Sequence, residues 1–108
     1  MIEKIKKDNE LEGYFLNYMR LNLEKRDLPE ELPDQKDEKK VTHYLKVTYD
    51  FNKAVEALIE KLTKKYNLPD DLGQKKSRTN NIIVEVCDFY LTKYGEEYIR
   101  SYKSNIHF

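Results

Sequence analysis

The stretch VTHYLKVTYDF, residues 41–51, alternates between apolar and polar side chains over most of its length. One set of alternate positions is His43, Leu45, Val47, Tyr49 and Phe51, and the other is Thr42, Tyr44, Lys46, Thr48 and Asp50. Because successive side chains of a β-strand point to opposite faces, this alternation predicts a strand. A lone strand leaves its backbone groups unpaired, so its partner is expected from another chain or from distant sequence.

Two amphipathic helices are predicted after this strand. The first covers residues 53–67, with Asn52 as its N-cap, and its apolar residues are Val55, Leu58, Ile59, Leu62 and Tyr66. The loop LPDDLGQKK (68–76) follows. Ser77 or Thr79 then caps a second helix that ends near Gly95, with the apolar face Ile82, Ile83, Val86, Phe89 and Tyr90. The segment EEYIRSYKSNIHF predicts a short third helix or an ordered tail.

The N-terminal part predicts one helix over residues 2–25 and then a linker. Its apolar stripe consists of Leu11, Tyr14, Phe15, Tyr18 and Met19. The prolines of LPEELP (28–33) and the charged run DQKDEKK (34–40) interrupt the apolar pattern. We therefore expect a boundary near residue 40, which separates an arm of residues 1–40 from a domain of residues 41–108.

Length and composition favour a small intracellular protein. The 108 residues suffice for one compact domain with an arm, and a core this small gains from dimerisation. Cys87 is the single cysteine, which excludes an internal disulfide and fits a reducing compartment. Since we find neither a secretory signal nor an apolar run long enough to span a membrane, a cytoplasmic location is expected.

Signs of catalysis are lacking in the sequence. It contains no glycine-rich phosphate loop, no HExxH and no CxxC, and His43 and His107 are too isolated to bind a metal. Cys87 lies among apolar neighbours, as an inert core residue does. We expect no enzymatic activity, no cofactor and no metal.

Residues 41–94 resemble the ribbon-helix-helix DNA-binding family, the Arc, MetJ and CopG type. The likeness lies in HYLKVTYDFNKAVEALIEKLTKKYNL followed by SRTNNIIVEVCDFYL. It implies a mainly α fold in which two subunits pair one strand each into an antiparallel ribbon. That ribbon would lie in the major groove of DNA, and further assembly of dimers on DNA is left open.

The resemblance also assigns roles to residues. The dimer core would contain Leu45, Val47, Tyr49, Phe51, Val55, Ile59, Ile82 and Val86. Lys46, Thr48 and Asp50 would read base edges. Phosphate would be bound at a helix N-terminus by Lys75, Lys76, Ser77, Arg78 and Thr79. Two departures from the family are the carboxylate of Asp50 and the long loop 68–76.

Two functions remain open from the sequence. The first is sequence-specific binding of double-stranded DNA by a homodimer, as a transcriptional repressor or an accessory protein in plasmid or viral DNA maintenance. The alternative is a protein-binding module without DNA affinity, such as a phage-encoded inhibitor or an antitoxin-like partner. Zero net charge and nine tyrosines suit the alternative, because tyrosine is enriched at protein interfaces. Residues 1–25 are a candidate contact for a protein partner in either case.

Overall fold

Five helices and their connections make up the computed structural model, which describes residues 1–103. The helices are α1 (Ile2–Lys6), α2 (Asn9–Arg26), α3 (Glu38–Tyr66), α4 (Arg78–Tyr94) and α5 (Glu96–Arg100). Residues 104–108, the end of the predicted tail, which include His107, lie outside the described residues. The prediction of a mainly helical protein is confirmed.

The predicted strand over residues 41–51 is wrong, because these residues form the first half of α3. This helix begins after Asp37, whose carboxylate accepts the backbone N–H of Lys40 at 3.2 Å. No glycine or proline interrupts residues 34–68, so the helix continues without a break through Asn52, the predicted N-cap. A helix satisfies its backbone groups within one segment, and residues 41–51 therefore need no second chain.

The ribbon-helix-helix prediction is wrong for the same reason. No strand occurs anywhere in residues 1–103, so the two-stranded ribbon has no counterpart in this fold. The alternating pattern misled because Val47 and Phe51, which belong to it, are also spaced by four as in a helix. Val47 is 3% exposed and belongs to a helical stripe of buried residues that also includes Ala54 and Leu58.

Helices α2 and α3 pack against each other in antiparallel fashion. Glu10, near the start of α2, pairs with Lys61, near the end of α3, with an O–N distance of 2.8 Å. Near the other end of α2, the ammonium of Lys25 lies 4.5 Å from the ring centre of Phe51. The 29 residues of α3 span about 43 Å and the 18 of α2 about 27 Å, at about 1.5 Å per residue. The first turns of α3 therefore extend beyond the C-terminal end of α2.

All five helices contribute to one buried cluster. Its members include Ile5 of α1, Phe15 of α2, Leu62 of α3, Val86 of α4 and Ile99 of α5. The boundary predicted near residue 40 falls within the first turn of α3, and residues on both sides of it share this core.

Several helix ends agree with their sequence signals. Asn67 ends α3 in the left-handed conformation (φ 56°). Its backbone N–H donates to the carbonyl of Thr63 at 3.0 Å, and the N–H of Leu68 donates to the carbonyl of Leu62. Gly95 ends α4 with a φ of 83°, and the short third helix is α5. The predicted helix over residues 2–25 is instead interrupted before Asp8, whose carboxylate caps α2.

Two leucines of α3 distinguish the helical fold from a ribbon. Leu58→Ala should lower the free energy of unfolding by about 2–5 kcal/mol, because Leu58 is buried and the substitution leaves a cavity. Leu45→Ala should change it by less than about 0.5 kcal/mol, because Leu45 is 54% exposed and alanine favours a helix. Urea denaturation followed by circular dichroism measures both. A large loss for Leu45→Ala would contradict this structure, since Leu45 would lie in the core of a ribbon dimer.

Candidate functional site

A line of uncharged side chains runs along the first half of α3. Its members are Thr42, Leu45, Tyr49 and Asn52, which we call the outer seam. Their spacing of three, four and three residues places them on one side of the helix. All four are exposed, and Leu45 and Tyr49 retain 54% and 56% of their accessible surface.

The outer seam faces away from the core. Val47 and Ala54, which are 3% and 2% exposed, lie on the opposite side of α3 from Leu45, since each residue advances the helix by about 100°. Phe51 lies between these two sides and is covered by Tyr18, with ring centres 5.8 Å apart. This half of α3 therefore carries apolar side chains on two faces. The other helices cover the face of Val47 and Ala54, whereas the face of Leu45 and Tyr49 is exposed.

The three residues predicted to read bases lie on α3, because residues 41–51 are helical and do not form the strand that would have aligned them. Lys46 and Asp50 form an ion pair one helical turn apart, with an N–O distance of 2.8 Å. Thr48 is half-buried on a different side of the helix. The structure therefore does not bring the three side chains together on one surface.

The residues predicted to form a dimer core divide into three groups. Val47, Ile59, Ile82 and Val86 are buried within a single chain. Phe51 and Val55 are half-buried, whereas Leu45 and Tyr49 are exposed on the outer seam. The four buried members are therefore covered by residues of their own chain.

The predicted phosphate site at the start of α4 already holds a carboxylate of the same chain. Asp71 accepts the hydroxyl of Ser77 at 2.7 Å and the backbone N–H groups of Arg78 and Thr79 at 2.9 and 3.3 Å. The Ser77 hydroxyl in turn accepts the N–H of Asn80. Asp71 therefore occupies the position at the helix N-terminus that a phosphate would take.

The other members of that predicted site have different surroundings. The Thr79 hydroxyl donates to the carbonyl of Pro69, so it does not face solvent. Lys75, Lys76 and Arg78 are exposed cations. Phosphate binding stays a prediction for these three residues.

Asp71 was missed by sequence reasoning, although its position in the loop before Ser77 is readable. The hydrogen bond from Ser77, with those from the N–H groups of Arg78 and Thr79, holds the pKa of Asp71 below its ordinary value of 3.8. The outer seam was also missed, because the ribbon prediction places Leu45 and Tyr49 in a dimer core. Its spacing of three and four residues is the signal that could have revealed it.

A shallow groove of about 250 Å³ lies between α2 and α4. Tyr18 and Asn22 line it from α2, and Val84, Cys87 and Leu91 line it from α4. Burial raises the pKa of the Cys87 thiol to about 12, so the thiol stays protonated near neutral pH. This is in keeping with the inert role expected for Cys87.

Comparisons with models of known families, with curated proteins and with solved structures found no match. Within residues 1–103, no helix has both the length and the apolar character that a membrane crossing requires. The same residues bring together no group of three acidic, histidine or cysteine side chains suited to a metal.

The hydrogen bonds that Asp71 accepts at the start of α4 predict a dependence of stability on pH. Because the pKa of Asp71 is lowered in the folded state, its contribution is present above pH 3.8 and is lost as the pH falls through the folded-state pKa. Asp71→Asn should therefore lower Tm at neutral pH, and its difference from the wild type should shrink in acid. Thermal unfolding between neutral and acidic pH measures this.

Asp70→Asn is the matched control, because Asp70 is the exposed neighbour of Asp71. It should leave Tm near the wild-type value at every pH. Equal effects of the two substitutions would show that the hydrogen bonds of Asp71 to the start of α4 do not stabilise the fold.

Proposed function

We propose that this protein is a protein-binding module that docks a helix of another protein along the outer seam. The observation that carries the proposal is the exposure of Leu45 and Tyr49, at 54% and 56%, on the face of α3 opposite the core. A solvated surface helix usually presents charged and polar side chains on its outward face. Here the line from Thr42 to Asn52 contains no charge.

The spacing within the outer seam favours a helical partner. Single exposed apolar residues are common on protein surfaces and need no explanation. Residues that repeat at three and four, in contrast, form the seam along which two helices pack side by side. Leu45 and Tyr49 are the central pair of this repeat and would be the anchors that a partner helix covers.

DNA binding is the weaker alternative for this fold. Base reading requires a strand over residues 41–51, and these residues are helical. The hydroxyls of Ser77 and Thr79 are bonded within the chain, which leaves three exposed cations as its phosphate-binding candidates. The protein-binding function, in contrast, uses the exposed outer seam of α3, which is part of the described fold.

Photo-crosslinking at the outer seam tests the proposal. A photoreactive phenylalanine derivative in place of Tyr49 should capture a protein partner in cells, because Tyr49 lies in the proposed interface. The same group in place of Tyr98, which is 47% exposed on α5, is the control and should not capture that protein. Equal capture at both positions would count against the outer seam.

The captured protein is then purified and titrated against wild type and variants. Leu45→Glu should raise Kd at least about thirtyfold, as expected when an anchor worth about 2 kcal/mol is lost. Val84→Glu is the control, because Val84 is 51% exposed on α4 and should not affect Kd. Binding to random duplex DNA that weakens steeply with salt, and that Leu45→Glu leaves intact, would instead favour the DNA function.

A further inference from the structure

A row of lysines borders the outer seam on one side. Lys39, Lys46 and Lys53 are spaced by seven residues, which is two helical turns, so they lie one above another along α3. Two of them directly follow members of the outer seam, Leu45 and Asn52. They therefore occupy the flanking positions that decide which charges a partner helix can carry.

The opposite flank of the outer seam carries no charge. Its residues, Val41, Thr48 and Val55, are also spaced by seven and are all half-buried. The seam is thus asymmetric, with cations along one edge and uncharged side chains along the other.

The ammonium groups of this lysine row can still bind carboxylates of a partner. Lys46 pairs with Asp50 at 2.8 Å, but its side chain remains 72% exposed. Lys53 lies 3.4 Å from Glu56, and its ammonium is 5.5 Å from the ring centre of Tyr49. Lys39 is exposed at the first turn. Exposed pairs within one helix are weak, so a partner can compete for these ammonium groups.

A second copy of this chain fits this edge poorly. In an antiparallel pair, the two-fold axis perpendicular to the helices brings the lysine row of one copy beside the lysine row of the other. In a parallel pair, the lysines face the uncharged flank of Val41, Thr48 and Val55. Neither arrangement places a row of carboxylates along the lysine row.

We propose that the partner is an acidic amphipathic helix, with apolar residues spaced by three and four and carboxylates along the edge that meets Lys39, Lys46 and Lys53. This inference rests on the proposed function, because it names the chemistry of the helix that the outer seam would dock. The lysines give selectivity at the edge of the contact, whereas Leu45 and Tyr49 supply the apolar burial.

Two synthetic peptides of about four heptads test the partner's chemistry. Both peptides have the same apolar residues, but one carries glutamate and the other lysine at every position flanking them. The like charges keep each peptide from pairing with itself. We expect the full-length protein to bind the glutamate peptide about tenfold more tightly in fluorescence anisotropy, as three flanking pairs of about two- to threefold each would give. The preference should shrink as salt screens the charges.

Reversing the lysine row tests whether the preference is local. The variant Lys39→Glu, Lys46→Glu, Lys53→Glu should bind the lysine peptide more tightly than the glutamate peptide. In case reversal disturbs α3, the milder change of the same three residues to glutamine should abolish the preference, and circular dichroism checks that both variants are folded.

A control variant reverses the same number of charges elsewhere. Lys7, Lys75 and Lys76 are exposed away from the outer seam, and their change to glutamate should leave the preference for the glutamate peptide in place. If this control variant also lost its preference for the glutamate peptide, net charge and not the lysine row would be the cause, and the assignment to the lysine row would be overturned.

The remaining outcomes separate the inference from the function on which it rests. Equal binding of both peptides, lost in Leu45→Glu, would overturn the acidic partner and keep the outer seam as a docking site. Binding of neither peptide would overturn both. A dimeric mass in light scattering that Leu45→Glu makes monomeric would assign the seam to a second copy of this chain.

Discussion

Antiparallel packing of α2 on the second half of α3 is the contact on which the rest of the structure depends. Leu11 and Phe15 of α2 share one buried cluster with Leu58 and Leu62 of α3, and the pairs of Lys61 and Lys65 with Glu10 fix the register at its rim. The apolar burial supplies the stabilisation, because exposed ion pairs contribute little. Once this register is set, α2 ends beside Phe51, and the first turns of α3 extend past it.

The course of α3 decides which surfaces are free to act. A helix through residues 41–51 separates side chains that a strand would have placed together, since Val47 turns toward the core and Leu45 and Tyr49 turn away from it. Leu45 and Tyr49, two of the residues that would have joined two subunits in a ribbon, belong instead to the outer seam. The proposed interface is therefore a direct consequence of the helical state of this segment.

At the start of α4, polar groups are used for structure. Asp71 satisfies the free N–H groups of the helix and the hydroxyl of Ser77, so the chain supplies its own anion there. The result is a connection between α3 and α4 that hydrogen bonds tie to the helix, and a helix N-terminus whose attraction for external anions is already partly neutralised.

The sequence by itself determined the elements whose signals are local. The second half of α3 and its end near Asn67, the cap at Ser77 and the end of α4 at Gly95 all follow from periodicity and capping chemistry within a few residues. The state of residues 41–51 could not be decided locally, because Val47 and Phe51 satisfy the periods of both a strand and a helix. Only the tertiary structure decided it. The continuous helix from Glu38 buries Val47 within one chain and pairs its own backbone, whereas a strand would have needed a partner strand from another chain or from distant sequence.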